Sequence, residues 1–161
     1  MINVLFVCMG NICRSPAAEG IFKAAIANSK LKEAVKVYSA GTIGYHTGEL
    51  PDPRMRRQAA LRGYNLNSTA RKFNPKEDFE KFDYIVTMDD DNYQTISNMD
   101  TKGLYKNKLF KMSEFITAEN VTEVPDPYYG GDAGFEFVLD ILEDGAQNLL
   151  KRIIYDFEQT N

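Results

Sequence analysis

INVLFVC, residues 2–8, followed by MGNICRSP, residues 9–16, decides the fold of this 161-residue chain. The first segment is short, almost entirely apolar and rich in β-branched and aromatic side chains, which is typical of a strand buried on both faces of a parallel sheet. The Ala-rich segment that follows has helical spacing, with Ser15 and Pro16 where the N-cap and the first helical residue belong. The beginning of the chain therefore predicts a strand, a tight loop and a helix at residues 16–29.

The remainder of the chain continues to alternate short apolar runs with helical patterns. The predicted elements are, in chain order, a strand at 35–39, a helix at 54–62, a strand at 82–88, a helix starting at Asp89, a strand at 108–112 and a helix at 133–157. Strands that alternate with helices indicate βαβ units, a parallel sheet and right-handed crossovers. Because the sequence has no internal repeat or interdomain linker, it favours a single α/β domain.

The composition limits the classes of protein to which the chain can belong. Its 43% hydrophobic and 26% charged residues fit a globular domain. The net charge of −4 argues against a general nucleic-acid binder, and no apolar run reaches the length of about 18 residues that indicates a membrane span. Two cysteines and one histidine exclude a disulfide scaffold and Cys-rich or multi-His metal sites. The N-terminus does not have the pattern of a signal peptide, so we expect a cytoplasmic location.

Charge is unevenly distributed along the chain. Residues 53–76 contain seven basic and no acidic residues, whereas residues 113–144 contain nine acidic and no basic residues. One interpretation is two solvated helix faces of opposite sign, and the other is a bipolar rim around a binding site. The sequence leaves both open.

The loop between the first strand and the first helix has the properties of an anion site. Ligands of open parallel sheets bind beyond the carboxyl ends of the strands, and residues 8–15 run from such an end to a helix N-terminus. Loop amides and the helix dipole can together attract an anion. Gly10 permits close approach of the backbone, and Asn11 tolerates a left-handed conformation.

Three side chains add chemistry to this loop. The planar fork of Arg14 can bind two oxygens of one phosphate group. Surroundings of this kind favour the thiolate form of Cys8, to which Ser15 could donate a hydrogen bond. A thiolate below a bound phosphate is placed for in-line attack, with a cysteinyl phosphate as the expected intermediate. Cys8 could instead be a buried strand-end thiol, but its coincidence with Arg14 and Ser15 favours the catalytic interpretation.

The segment VCMGNICRSPAAEG, residues 7–20, resembles the phosphate-binding loop of the low-molecular-weight protein tyrosine phosphatases. The resemblance extends to SAGT at 39–42, PDPR at 51–54, FDYIVTMD at 82–89 and VPDPYYGG at 124–131. It implies one doubly wound α/β domain over residues 1–161, with a four-stranded parallel sheet and helices on both faces. It also implies a protein tyrosine phosphatase that hydrolyses phosphotyrosyl proteins or peptides and releases inorganic phosphate. No metal or organic cofactor is expected.

The resemblance assigns roles residue by residue. It makes Cys8 the nucleophile, Arg14 the phosphate clamp and Asp126 the general acid. The substrate-binding residues that it implies are Met9, Gly10, Asn11, Ile12, Cys13, Ser15, Tyr45, Tyr128 and Tyr129. Asp126 also has independent support, because the leaving aryloxide needs a proton and the flanking prolines stiffen its loop.

Several residues allow two interpretations. The three rim tyrosines could stack on a phenyl ring or be ordinary loop aromatics. Cys13 could form a reversible disulfide that protects Cys8, as the resemblance favours, or be a small residue facing the helix. Asp89 and Asn92 could support the site or only cap a helix. His46 is interpreted as a solvated loop residue near the mouth.

Other functions on the same scaffold are less well supported. An arsenate reductase would need further cysteines after Cys13, and the chain has none. A protein-arginine phosphatase resembles this loop but has Thr where this chain has Ile12, so phosphotyrosine is preferred. A phosphate-binding or redox-sensing module without enzymatic activity could dispense with Asp126, and the intact DPYY segment at residues 126–129 argues against this alternative.

Overall fold

A computed structural model of the protein describes residues 1–128 and 130–161. The strands in the described residues are β1 (Ile2–Cys8), β2 (Val35–Gly41), β3 (Tyr84–Thr87) and β4 (Leu109–Lys111). The helices are α1 (Arg14–Ala27), α2 (Pro53–Leu61), α3 (Asp78–Lys81), α4 (Asp90–Met99) and α5 (Asp132–Thr160). Short 3-10 turns, Lys106–Lys108 and Met112–Phe115, flank β4. In this part of the chain, no helix is both long and apolar enough to cross a membrane.

The four strands form one parallel sheet in the order β2-β1-β3-β4. Strand β1 is central, and its residue Val4 lies beside Val37 of β2 and Tyr84 of β3. The predicted four-stranded parallel α/β sheet is therefore confirmed. All four predicted strands exist: the ends of β1 match the prediction, and those of the other strands differ by at most two residues.

Helices cover both faces of the sheet, as expected from the almost entirely apolar β1. Val4 and Phe6 point to one face and belong to the core formed with α1 and α5. Leu5 and Val7 point to the opposite face and belong to a smaller core with α3 and α4. Complete burial of each such side chain stabilises the fold by about 1.5–3 kcal/mol, so both faces hold β1 in place and fix the position of the loop that follows it.

The start of α1 differs from the prediction. The helix begins at Arg14 with Cys13 as N-cap, and no side chain caps it. The prediction that Ser15 is the N-cap was therefore wrong. The reason is that the hydroxyl of Ser15 lies 3.0 Å from the sulfur of Cys8 and accepts a hydrogen bond from Asn11 at 2.8 Å. The serine completes the loop instead of capping the helix.

The two oppositely charged segments meet at the end of α2. Arg62 donates hydrogen bonds to Glu136 and Glu143 of α5 and forms an ion pair with Asp140 at 2.9 Å. At this residue, the basic and acidic segments join two helices and do not form separate solvated faces.

Candidate active site

The sulfur of Cys8 lies at the carboxyl end of β1, where the chain turns into the loop of residues 8–15. Cys8 is only 3% exposed. The backbone N–H of Asn11 donates to its sulfur at 3.3 Å, which the left-handed conformation of Asn11 (φ 59°) makes possible. The hydroxyl of Ser15 lies 3.0 Å from the same sulfur. Two neutral polar groups therefore face the sulfur from inside the loop.

Asn11 determines which way the Ser15 proton points. Its side-chain amide donates to Ser15 Oγ at 2.8 Å, and its carbonyl oxygen accepts from the backbone N–H of Arg71 at 3.0 Å. Because Ser15 Oγ already accepts from Asn11, its own proton is free to point to the Cys8 sulfur; the other acceptor, the carbonyl of Ala40, is farther away at 3.4 Å. The network thus presents donors to the sulfur, which stabilises a thiolate.

Arg14 lies beside the sulfur, and hydrogen bonds to other parts of the chain fix its guanidinium. Its Nη1 donates to Asp89 Oδ2 at 2.6 Å and to the backbone carbonyl of Val124 at 3.1 Å. Burial alone would lower the pKa of the guanidinium, but the Cys8 sulfur and the Asp89 carboxylate more than offset burial, and the pKa is raised. Arg14 is therefore a fixed positive charge next to Cys8.

Asp126 lies on the opposite wall, in the loop that precedes α5. Its Oδ1 accepts a hydrogen bond from the backbone N–H of Tyr128 at 2.9 Å, and its Oδ2 is 3.9 Å from Arg14 Nη2. The side chain is 43% exposed. The carboxyl group thus borders both solvent and the space above Cys8, where a leaving group would emerge.

A cavity of about 270 Å³ joins these groups. It is lined by Cys8, Met9, Gly10, Ile12, Cys13, Arg14, Ile43, Tyr45, His46, Asp126 and Tyr128. Of the predicted site residues, Asn11 and Ser15 lie beneath the cavity and contact the sulfur from below. The remaining prediction, Tyr129, lies outside the described residues.

Two wall residues modify the sequence-based picture. Ile43 lines the cavity, although no pattern in the sequence indicates that it belongs to the site. His46 is not an ordinary solvated residue, because its side chain is 23% exposed and lies in the cavity wall.

Cys13 differs from Cys8 in its surroundings. Both cysteines are free and buried. Burial raises the pKa of the Cys13 thiol, and the carboxylates of Asp52 and Asp126 and the Cys8 sulfur add to the rise. Cys13 is therefore held as a neutral thiol.

A second chain of contacts connects the loop of residues 8–15, hereafter the phosphate loop, to the wall that carries Tyr128. The backbone N–H of Asp52 donates to the carbonyl of Ile12 at 2.7 Å. The Asp52 carboxylate accepts two hydrogen bonds from the Arg54 guanidinium, at 3.0 and 3.2 Å. The Arg54 guanidinium carbon lies 5.1 Å from the ring centre of Tyr128 and 4.9 Å from that of Phe135.

The sequence reasoning did not identify Asp52 and Arg54 as parts of the site. The signal that could have found them is Asp52-Pro53, an N-cap residue followed by proline, which fixes the start of a helix. In the structure, Asp52 accepts from the backbone N–H of Arg54, as a cap does. Within residues 1–128 and 130–161, no group of three or more metal-ligating side chains occurs.

The geometry of the cavity defines a class of enzyme. A cysteine sulfur surrounded by donors, an arginine beside it and a carboxyl group across the cavity fit a phosphatase that uses a cysteine and loop amides to handle a phosphate ester. The chain belongs to the family described as low molecular weight phosphotyrosine protein phosphatase, whose model matches residues 3–159. It is thus a protein tyrosine phosphatase and a phosphoric monoester hydrolase.

Individual relatives agree with this assignment. A Synechocystis chain provisionally named as a low molecular weight protein-tyrosine-phosphatase is 49% identical over 149 residues, which cover 92% of this chain and 94% of the relative. The low molecular weight phosphotyrosine protein phosphatase of Schizosaccharomyces pombe is 39% identical, covering 94% of this chain and 97% of its own. The crystal structure of a protein tyrosine phosphatase from Entamoeba histolytica superposes with a TM-score of 0.91 at 47% identity, covering 97% of this chain and 99% of that one.

Proposed function

We propose that Cys8, Arg14 and Asp126 carry out the hydrolysis of phosphotyrosine in two steps. The observation that carries this proposal is the position of the Cys8 sulfur. It receives hydrogen-bond donors from Asn11 and Ser15 at the floor of a cavity that Arg14 and Asp126 also line. A buried structural thiol has no use for such donors.

In the first step, the phosphate group of the substrate binds to the loop amides and to Arg14. The Cys8 sulfur attacks phosphorus, so that an S–P bond forms while the P–O bond to the tyrosine breaks. The electron pair of that bond passes to the tyrosine oxygen, which receives a proton from the Asp126 carboxylic acid. Tyrosine then leaves as a neutral phenol, and the enzyme keeps a cysteinyl phosphate.

In the second step, the same carboxyl group acts in the opposite direction. The Asp126 carboxylate takes a proton from a water molecule, whose oxygen attacks phosphorus as the S–P bond breaks. The products are inorganic phosphate and the Cys8 thiolate, with Asp126 protonated again for the next turnover. No electron acceptor and no metal ion is needed to balance either step.

The aromatic side chains at the mouth support phosphotyrosine as the substrate. Tyr45 and Tyr128 line the cavity above the loop, and aromatic walls stack favourably on a phenyl ring. Tyr129 is proposed as a third member of this rim. Met9, Gly10, Ile12 and Cys13 also line the cavity and are proposed to surround the bound phosphate ester.

We further propose that the whole chain, residues 1–161, acts as one cytoplasmic domain. Two free cysteines suit a reducing compartment.

We also propose that Cys13 protects Cys8 by a reversible disulfide. Peroxide first oxidises the Cys8 thiolate to a sulfenic acid. The Cys13 sulfur then attacks the Cys8 sulfur, the S–O bond breaks, and the oxygen leaves as water with the Cys13 proton; an added thiol reduces the disulfide again. Cys13 shares the cavity wall with Cys8, but its neutral state makes it a slow nucleophile. Peroxide treatment followed by removal of the oxidant and addition of a thiol tests this role: a Cys13→Ser variant should recover less activity than the wild type, and equal recovery would refute protection.

A comparison of three substrates and two cysteine variants tests the proposed function. The wild type should hydrolyse a phosphotyrosyl peptide and leave matched phosphoseryl and phosphoarginyl peptides largely intact. Cys8→Ser should abolish turnover, whereas the matched control Cys13→Ser should retain it. Activity in the Cys8→Ser variant would refute the nucleophile assignment, and preferential hydrolysis of phosphoarginine would refute the substrate class.

A further inference from the structure

The loop after β2 places the only histidine of the chain against the phosphate loop. His46 Nδ1 lies 2.7 Å from Glu49 Oε2, and its ring packs edge-on against Tyr45 with 4.8 Å between ring centres. The chain contains one histidine in total. The reaction steps assigned above use neither His46 nor Glu49.

The orientation of the imidazole follows from two sets of contacts. The position that a Cβ atom would take on Gly10 lies 3.2 Å from His46 Cδ2 and 3.8 Å from His46 Nε2. The Cδ2–Nε2 edge of the ring therefore faces the middle of the phosphate loop. Because Glu49 engages Nδ1 on the other side, Nε2 is the ring nitrogen that is available to a ligand in the cavity, which His46 lines together with Cys8 and Arg14.

The hydrogen bond to Glu49 determines what Nε2 can do. A carboxylate accepts the Nδ1 proton, so the neutral imidazole carries only a lone pair at Nε2. A lone pair facing a bound dianion is repelled, whereas a protonated ring donates an N–H at that position and keeps its bond to Glu49. Binding of a dianion and uptake of one proton by the ring therefore favour each other.

We propose that His46, oriented by Glu49, takes up a proton when a dianionic oxyanion binds in the phosphate loop and donates a hydrogen bond from Nε2 to that anion. The proton comes from solvent, and no covalent bond changes. This inference rests on the proposed function in one respect, namely that the loop binds the phosphate of the substrate. His46 thereby becomes a specificity residue that favours a dianionic over a monoanionic ester.

Other titratable groups face the same cavity, and their contribution to the pH dependence of anion binding must be distinguished from that of His46. Glu49 and Tyr45 belong to its own loop. The groups that face it across the cavity are Cys8, Cys13, Arg14, Asp126 and Tyr128. The Cys8 thiol and the Asp126 carboxyl group can also change their charge beside the bound anion, so the binding experiments use a background that carries Cys8→Ser and Asp126→Asn.

Proton NMR of the full-length Cys8→Ser, Asp126→Asn chain tests the proposal directly, because its imidazole signals can come from His46 alone. The probe is sulfate, which remains a dianion across the titration of imidazole. Saturating sulfate should move the titration midpoint of His46 upward by about one pH unit, which corresponds to about a tenfold change in sulfate affinity between the two protonation states. A midpoint that sulfate leaves unchanged would overturn the proposal.

Sulfate binding by calorimetry supplies the second measurement. In the Cys8→Ser, Asp126→Asn background, the dissociation constant should rise about tenfold between about pH 5.5 and about pH 8. The added substitution His46→Gln, whose amide does not titrate, should reduce this rise to less than about twofold. An undiminished rise after the addition of His46→Gln would assign the pH dependence to another group and overturn the proposal. Turnover of a phosphotyrosyl peptide by the wild type is measured separately: if turnover is present while sulfate does not affect His46, only this inference fails, whereas absent turnover refutes the proposed function.

Discussion

The two walls of the catalytic cavity are built in opposite ways. In the phosphate loop, Cys8, Asn11, Arg14 and Ser15 are all at most 4% exposed, and hydrogen bonds connect the four side chains to one another or to other elements. In the acid loop, residues 125–128, the Asp126 side chain is 43% exposed and accepts one backbone hydrogen bond.

This difference corresponds to the different tasks of the two walls. In the proposed reaction, the phosphate loop holds negative charge throughout, and preorganised donors do this without reorganisation. In the same proposal, Asp126 exchanges its proton with a leaving group and then with water, which requires that it border solvent. We therefore expect the loss of turnover caused by a substitution in the acid loop to depend on the leaving group of the substrate. A substitution in the phosphate loop should slow the turnover of all substrates alike.

The largest loss of turnover in this comparison should come from a change at Asp126, in the acid loop, when the substrate has a poor leaving group. Asp126→Ala should slow the turnover of a phosphotyrosyl peptide by about 10²–10⁴-fold, the usual contribution of a general acid. With an aryl phosphate whose phenol is strongly acidic, the loss should be much smaller, because that leaving group needs no proton. Steady-state rates across a series of aryl phosphates measure this dependence, and an equal loss for all of them would refute the acid role.

The second-largest loss of activity should come from a change at Arg14, the proposed phosphate clamp. Arg14→Lys keeps the positive charge but removes the planar fork and the bond to Val124. We expect a loss of about 10²–10³-fold in kcat, comparable to the removal of one preorganised donor, and the loss should be the same for good and poor leaving groups. The control Arg57→Lys changes an exposed arginine of α2 and should leave kcat unchanged. A loss that varies with the leaving group would contradict the proposed division between the walls.

A smaller effect should follow the loss of the serine hydroxyl beneath the sulfur. Ser15→Ala removes one donor to Cys8 and leaves the buried amide of Asn11 without its acceptor, which costs about 1–3 kcal/mol of stability. We expect kcat to fall by about tenfold or more, together with a lower Tm. The matched control is Ser39→Ala, which breaks a buried hydroxyl bond to Glu19 at 2.5 Å. It should lower Tm but not kcat; equal kcat in both variants would mean that Ser15 is only structural.

The smallest effect should come from a change at Arg54, which connects the two walls through Asp52 and Tyr128. Arg54→Met removes the ion pair with Asp52 and the stacking on Tyr128. Because a cation over an exposed aromatic ring contributes only weakly, we expect KM for a phosphotyrosyl peptide to rise by a few fold. Inhibition by inorganic phosphate, which does not reach the rim, should be unchanged; a parallel loss of phosphate binding would show that Arg54 acts on the phosphate loop.

The sequence indicates the contacts within the phosphate loop far better than the contacts that join this loop to the rest of the site. The reason is the separation of the contacting residues along the sequence. Cys8, Asn11 and Ser15 meet through contacts that span seven residues or fewer, so their spacing alone indicates the loop. The bonds of Arg14 to Asp89 and Val124 span 75 and 110 residues. Only the assembled sheet brings those residues together.

The errors have physical causes of the same kind. Ser15 had the right residue type for an N-cap, but its hydroxyl is bonded within the loop. The one-turn helix α3 was not predicted, because four residues are too few to show a helical pattern. His46 was interpreted as solvated because a lone histidine in a Gly-containing loop carries no periodic signal, whereas the fold packs its ring against Gly10.

Trapping the intermediate tests the central claim most directly. The Asp126→Ala variant should be mixed with an aryl phosphate of good leaving group, quenched rapidly and examined by mass spectrometry with fragmentation of the N-terminal peptide. The account predicts one phosphoryl group on the sulfur of Cys8 and none on Cys13. A phosphoryl group on any other residue, or turnover without a phosphoenzyme at any quench time, would contradict it.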